Sequence, residues 1–546
     1  MRSAVRYLAS SLLVGVLSVG LAWAGAGLVP VDPPELPEAI AGTEAAVGGS
    51  AQGGNGAKRG AFTEFGPPPP GYVHAGAAKV SIEPRPEDYD GTWVQDRDQC
   101  ATLSEAFVTQ LPDSAEHLAS AGSPWPENPN CLYMGGYGIG PMNPITSWDQ
   151  EYGLYVRSAV LQGPEVDGVS GALVLTIIDG EGYFWDYGNK CDDCGIKQLS
   201  AELGAELGIP KESFITAATH SHTSPDFIGG WGFVPDWYMD QVGDAIRESV
   251  KSAWAERQPA ILETGEQLAR GFNHERRDTY RSAEEQQLTW MRAVAPKYKR
   301  KPAKTVFTLG AFAAHPVTAD ESSGVAHGDW PVVFEKTLED RFGGVGLHMM
   351  TGLGNISPDG GTMMGGALAG IIPEVGAGMR VTDTSIRVAQ KTWAQPATNV
   401  PLTGLGLPGF FDRKFLGSPA EVRTGKSPDT APCESASPVS VEVPATAAFI
   451  GNQLAITAGP GELFSNLTNT IKEKSGALVT MPLAQANDAL GYLPQSFELN
   501  PVGQQGLGFV AGGVAVVNYE DSYSIDRCFG DKVLEETIGM LQALRG

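Results

Sequence analysis

Positive charge is scarce in this chain. Its 546 residues carry 38 Lys plus Arg against 63 Asp plus Glu, a formal net charge of −25, with no basic run. A pI near 4.7 repels phosphate backbones and offers no polybasic grip on anionic lipid, so no nucleic-acid partner is expected. A neutral, lipid-like substrate entering an apolar pocket is not excluded. Cysteine is sparse as well. Cys191 and Cys194 form one Cys-x-x-Cys without a second pair at matching distance, which argues against a zinc ribbon and for a local disulfide or idle thiols. No cysteine lies near the N-terminus, so a bacterial lipoprotein anchor is excluded. No internal repeat is visible. Gly and Pro make up about a fifth of the chain, high but short of low-complexity disorder. A loop-rich globular protein fits, as one large catalytic unit or two to three modest ones.

The N-terminus is organised for targeting. Arg2 and Arg6 precede a stretch, residues 8–31, that carries no charge. It reads as an export signal, with Ala22-Trp23-Ala24 suited to cleavage, or as a membrane anchor through which the protein associates with a bilayer. Residues 1–31 are therefore expected to direct export to the periplasm or the exterior. Six cysteines in an exported chain allow three disulfides in any of several pairings. Residues 32–71, rich in Pro, Gly and Ala and closing with Pro67 to Pro70, read as a linker. Residues 72–546 should form the catalytic domain. Residues 404–438, again polar and Gly/Pro-rich, read as a long surface excursion within it.

One unit recurs through that domain: a short apolar run leads into a chemically capable residue. Residues 171–180 form such a run, and Ile196, Leu199, Leu203 and Leu207 follow at helical spacing. Residues 214–220 run straight into His220 and His222. Tyr238, Val242, Ile246, Val250 and Trp254 then step along one helix face, the mark of core packing. Residues 305–314 lead into His315, residues 345–351 into Ser357, and residues 453–458 into Glu462, read as the opening of a helix. Strands alternating with helices imply an α/β fold of mixed β-sheets flanked by helices, with an active site at the strand C-terminal ends.

His220 and His222 are spaced by two. If the strand continues, alternation sends both imidazoles into one cavity, as a metal ligand and a proton-handling neighbour or as two ligands. A turn braced by two histidines is the plainer alternative. For His315, Glu462, Tyr492 and Ser357 the plain readings are a core histidine, a helix-dipole carboxylate, an interior aromatic and a turn hydroxyl. Among the eight histidines, His327 is the other candidate near the centre.

THSHTSP at 219–225, AAHPV at 313–317, GNISPD at 354–359, GPGEL at 459–463 and ALGYLP at 489–494 appear in the order found in the neutral/alkaline, non-lysosomal ceramidases. The resemblance runs from about residue 75 to about residue 530. It implies a catalytic zinc ion (Zn2+) held by His220, His315, Glu462 and Tyr492. His222 would stand beside the metal and assist catalysis, and Ser357 would lie at the reacting centre, as an orienting group or a covalent nucleophile. An arginine, Arg276 or Arg277 of FNHERRD, would also serve the site. The implied reaction is hydrolysis of an N-acyl amide bond, ceramide giving fatty acid and sphingoid base. Zinc takes nitrogen and oxygen donors and lowers the pKa of bound water to about 7. No C-terminal immunoglobulin-like domain of the kind found in some members is expected.

The sequence also departs from the family. Ser224 stands where a glycine is usual, Asp359 replaces an asparagine, and the stretch after Tyr492 differs. The ligands are kept better than the substrate walls. Two other readings follow: a zinc hydrolase of a different amide or ester, and an exported binding protein with the same fold and no catalysis. Met349, Met350, Met363, Met364 and the following ALAGII are candidates for an acyl-chain slot, with core packing as the alternative.

Overall fold

The computed structural model describes residues 68–545 apart from 86–92, 101–130, 137–142, 167–168, 189, 192, 233, 278–282, 298–301, 401, 404–410, 417–422, 426–432 and 500–518. The targeting segment and nearly all of the linker, to residue 67, lie outside the described residues. Among the described residues, no helix is long and apolar enough to cross a membrane.

Eight strands form the path of the larger sheet: β1 (Val73–Ser81), β2 (Tyr155–Val166), β3 (Val169–Ile178), β4 (Phe214–Ala218), β5 (Gln258–Leu268), β6 (Gln287–Ala295), β7 (Lys304–Phe312) and β8 (Val345–Met350). Their spatial order is β8-β7-β6-β5-β1-β2-β3-β4, and Met379–Arg380 pairs with β5. The outermost pairs, β3 with β4 and β7 with β8, are parallel, and the inner pairs are antiparallel. A second sheet holds β9 (Ile386–Pro396), β10 (Ser440–Ile450), β11 (Leu454–Ala458) and β12 (Val479–Leu483) in that order, with β11 and β12 parallel. This is the expected α/β arrangement of mixed sheets flanked by helices.

Each parallel pair needs a crossover, and a helix supplies it. α1 (Ile196–Leu207) links β3 to β4, and Gly208 ends it in the left-handed conformation at φ 69°. α2 (Asp236–Ala255) follows β4. α3 (Asp329–Phe342) links β7 to β8, α4 (Met364–Ile371) lies beside α3, α5 (Ser465–Ser475) links β11 to β12, and α6 (Phe529–Arg545) closes the chain.

Strand alternation sorts the side chains into layers. On β3, Val174 and Ile178 face α1 and α2, meeting Leu199, Leu203, Val242 and Ile246. Leu173, Leu175 and Ile177 point the other way, into the layer between the sheets, against Ile456 and Met481. β8 does the same: Met349 enters the inter-sheet layer, while Met350 packs with Trp330 and Phe334 of α3. The α2 stripe is core, as its spacing indicated. The methionines line no common slot, because Met349 and Met350 occupy opposite faces, Met364 is buried under α3 and Met363 is exposed.

Three disulfides join Cys100 to Cys131, Cys191 to Cys194 and Cys433 to Cys528. The excursion at 404–438 is anchored: Arg413 is buried, bonds the Asp488 carboxylate at 2.8 Å and reaches the Asp186 carbonyl at 3.2 Å.

Leu175→Ala removes a fully buried side chain from the inter-sheet layer. It should lower stability by about 2–5 kcal/mol, read as a lower urea midpoint at unchanged slope.

Candidate metal centre

The three β-α-β crossovers bring their loops to one place. Glu181 follows β3 and His220 and His222 follow β4. His315 follows β7 and Ser357 follows β8. Glu462 follows β11, and Tyr492 comes from the segment after β12. β4 and β8 are opposite edges of the larger sheet, and residues 484–487 join them. Ala484 N–H bonds the Met350 carbonyl at 2.8 Å, Ala218 N–H bonds the Gln485 carbonyl at 3.1 Å, and Asn487 N–H bonds the Thr216 carbonyl at 2.7 Å. The same segment holds the GPGE loop through Gln485 N–H on the Gly461 carbonyl, and Gly491 further on accepts from Glu462 N–H at its carbonyl, each at 2.8 Å.

Two local expectations are corrected. β4 ends at Ala218, so His220 and His222 do not share a strand face. His220 is left-handed, with φ 60°, and this turn brings the two rings to 5.3 Å, nearly perpendicular. Nor does Glu462 open a helix. It lies in a two-residue ladder, Glu462–Leu463 pairing parallel with Tyr492–Leu493, and α5 begins three residues later. That ladder sets Tyr492 beside Glu462 directly.

The ligating nitrogens of His220, His222 and His315 lie within 4.8 Å of one another, all buried, in a group that could hold a metal ion. Glu462 Oε2 adds a carboxylate, 2.9 Å from His315 Nε2 and 3.6 Å from His220 Nε2. The orientation of both rings comes from the main chain. His220 Nδ1 donates to the Glu181 carbonyl at 2.7 Å and His315 Nδ1 to the Ile356 carbonyl at 3.1 Å. A carbonyl only accepts, so each Nδ1 carries hydrogen and a neutral ring turns its Nε2 lone pair toward Glu462. Two acceptors in contact require a cation or a proton between them. The donor set of two imidazoles, a carboxylate and a nearby phenol fits a divalent metal.

Burial and the neighbouring groups set the charges of these residues. Burial would raise Glu462, but His220 and His315 outweigh it and hold the carboxyl well below the usual carboxylate range. Burial opposes charge on His220, yet Glu181 and Glu462 bring it up to about 9. Burial, reinforced by the Arg276 charge, takes His315 down to about 4. Burial, then His220 and His315, push His222 well below its ordinary value.

The arginines separate cleanly. Arg276 Nε bonds Glu520 at 2.8 Å, while its Nη2 reaches the Gly354 carbonyl at 3.0 Å and the Tyr492 hydroxyl at 3.3 Å. Arg277 turns away to Asp521 at 2.8 Å and stacks on Phe464. Ser357 is placed by an antiparallel ladder with Asn273–Glu275, one residue beyond the Ile356 carbonyl that His315 holds. Ser224, in place of a glycine, turns its hydroxyl inward onto the Ser221 carbonyl at 2.9 Å. His327 braces the His loop by accepting from Ser221 and Thr223 at its carbonyl, and Asp359 bonds exposed His274. Much of the altered wall after Tyr492, residues 500–518, lies outside the described residues.

Sequence reasoning missed Glu181 and Glu520. No residue at the end of the run at 171–180 was singled out; there, Asp179 is buried in an ion pair with Arg157 at 2.5 Å. Glu181, two residues on, is the group whose carboxyl lies 3.5 Å from His222 Nε2. Burial pushes it up to about 8.

No family model matches the chain, and no curated protein matches it. Among solved structures, a ceramidase complexed with C2 aligns with a TM-score of 0.57 at 14% identity, over 87% of this chain and 75% of that one. Neutral ceramidase from Pseudomonas aeruginosa aligns with a TM-score of 0.56 at 15% identity, over the same shares. The chain therefore has the fold of the neutral ceramidases.

Proposed function

We propose that this protein is an exported, zinc-dependent hydrolase of a lipid-like N-acyl amide, with ceramide as the expected substrate. The observation that carries the reading is the convergence of His220 Nε2 and His315 Nε2 on the Glu462 carboxylate, in a fold shared with neutral ceramidases. Three disulfides suit an oxidising compartment, and the acidic surface suits a neutral substrate.

His220, His315, Glu462 and Tyr492 would hold the ion. When bound, zinc supplies Lewis acidity to a carbonyl and acidifies a water to near neutrality. The chain's own residues do the rest. His222, whose Nε2 lies 3.5 Å from the Glu181 carboxyl, would accept a proton and return it to the departing amine. Arg276 is locked by Glu520 and the Gly354 carbonyl, which fixes a positive charge for the developing oxyanion without reorganisation. It also steadies the Tyr492 oxygen. Ser357, set by the same ladder that delivers Arg276, orients substrate at the reacting centre. Tight burial of the imidazoles keeps bulk water from competing for their nitrogens.

Purified full chain should contain about one zinc per molecule, and His315→Ala and Glu462→Gln should each lose it. A wild type that takes up no metal even from added zinc would sink the reading. With a fluorescent short-chain ceramide, chelation should abolish turnover and zinc restore it; turnover of short esters but not of the ceramide would reassign the substrate. Arg276→Ala should cut kcat by about 100- to 1,000-fold, and it should also lower the urea midpoint, because it removes the 2.8 Å ion pair of buried Glu520. Arg277→Met should lower that midpoint through buried Asp521 while kcat of the folded fraction stays near wild type.

A further inference from the structure

Ligand and acid–base roles leave one carboxyl of the site without a task. Glu181 is 1% exposed, and neither of its carboxyl oxygens has a hydrogen-bond partner among the described residues. Such a group is retained in a protein interior only where something compensates its desolvation. Its Oε1 lies 3.5 Å from His222 Nε2 and 3.7 Å from His220 Nδ1. The main-chain carbonyl of the same residue receives His220 Nδ1. Across from it, Gly135 leaves the space that the carboxyl fills: a Cβ there would stand 2.5 Å from Oε2. Two separate chain segments are thus shaped around this one side chain.

We propose that Glu181 is the positioning residue of the centre, holding the ligand His220 through its carbonyl and the proton-handling His222 through its carboxyl. The role assigned to His222 rests on the hydrolase reading above. The two contacts are separable by mutation, because a side-chain change at 181 leaves the carbonyl in place. Ligation through His220 then survives while the orientation of His222 is lost. A carboxylate behind a histidine fixes the ring's direction and tautomer, and its removal typically costs about 10- to 100-fold in metal affinity or activity. Here the loss should fall on activity alone.

The test uses full chain carrying Glu181→Gln or Gly135→Ala, the second displacing the carboxyl without altering it. The readouts are histidine ring 15N spectra, zinc content, and kcat and KM on the fluorescent ceramide. His222 and His220 signals are identified by their loss in His222→Gln and His220→Gln. In both variants the His222 signals should move, zinc should remain at the wild-type level, and kcat should fall about 10- to 100-fold with KM within about twofold. Unmoved His222 signals in Glu181→Gln would overturn the proposal, as would a loss of zinc, which would make the carboxyl a ligand or a prop for His220. If Glu181→Gln does not fold, Gly135→Ala decides alone. A wild type without zinc or turnover would defeat the hydrolase reading, and the His222 ring signals would still decide what holds that ring.

Discussion

Three main-chain hydrogen bonds hold opposite edges of a wide sheet against each other, and the site exists because of them. Ala484, Gln485 and Asn487 reach the end of β8 on one side and β4 on the other. Without that segment, the loops carrying His315 and Ser357 would have no reason to meet the loop carrying His220 and His222. The segment belongs to the second sheet, whose β11 brings Glu462. Face-to-face packing of the sheets, driven by burial of Leu175, Ile177, Ile456 and Met481, is therefore what assembles the donors. Three crossovers in two sheets deliver the candidate residues, each from the loop after a strand.

Within that frame the imidazoles of His220 and His315 are aimed by carbonyls and not by other side chains. Ile356 and Glu181 accept the Nδ1 hydrogens of His315 and His220, which commits each Nε2 to the same side. Main-chain acceptors cannot change protonation state or rotamer, so the aim of both rings is insensitive to pH. Glu462 then gathers the lone pairs, and Arg276 closes the far side through Tyr492 and Glu520.

Much of this was legible in the sequence. The crossover at residues 171–207 was visible because it pairs an apolar run of strand length with a helix whose apolar stripe repeats at helical spacing, whereas the helix at Asp329–Phe342 was not read. The motifs at 219, 313, 459 and 489 lie at the ends of such runs, so their common address could be read before any coordinates. What could not be read was local. The chain leaves the strand at Ala218 and turns left-handed at His220, a backbone choice that a Thr-His-Ser-His string does not display. Glu462 was read as a helix opener because the two-residue ladder that holds it has its other half thirty residues downstream. Arg276 and Arg277 are adjacent and chemically equal, and they part only because Glu520 and Asp521, 244 residues on, pull them to different sides. Glu181 is the residue immediately after the run at 171–180.

Among the described residues, four non-glycine residues take positive φ: His220 at 60°, Asp329 at 57°, Gln485 at 48° and Asn487 at 67°. Asp and Asn tolerate that conformation through short polar side chains, as Asp329 does by accepting from Thr318 and Ala319. His220 and Gln485 each add roughly 1 kcal/mol of backbone strain relative to glycine. At position 220 the fold and the chemistry therefore have opposed preferences. Laboratory evolution of this protein under selection for heat resistance alone would enrich glycine or asparagine there and discard the first histidine of the centre. Durability and activity have to be selected together, or the first will be gained at the expense of the second.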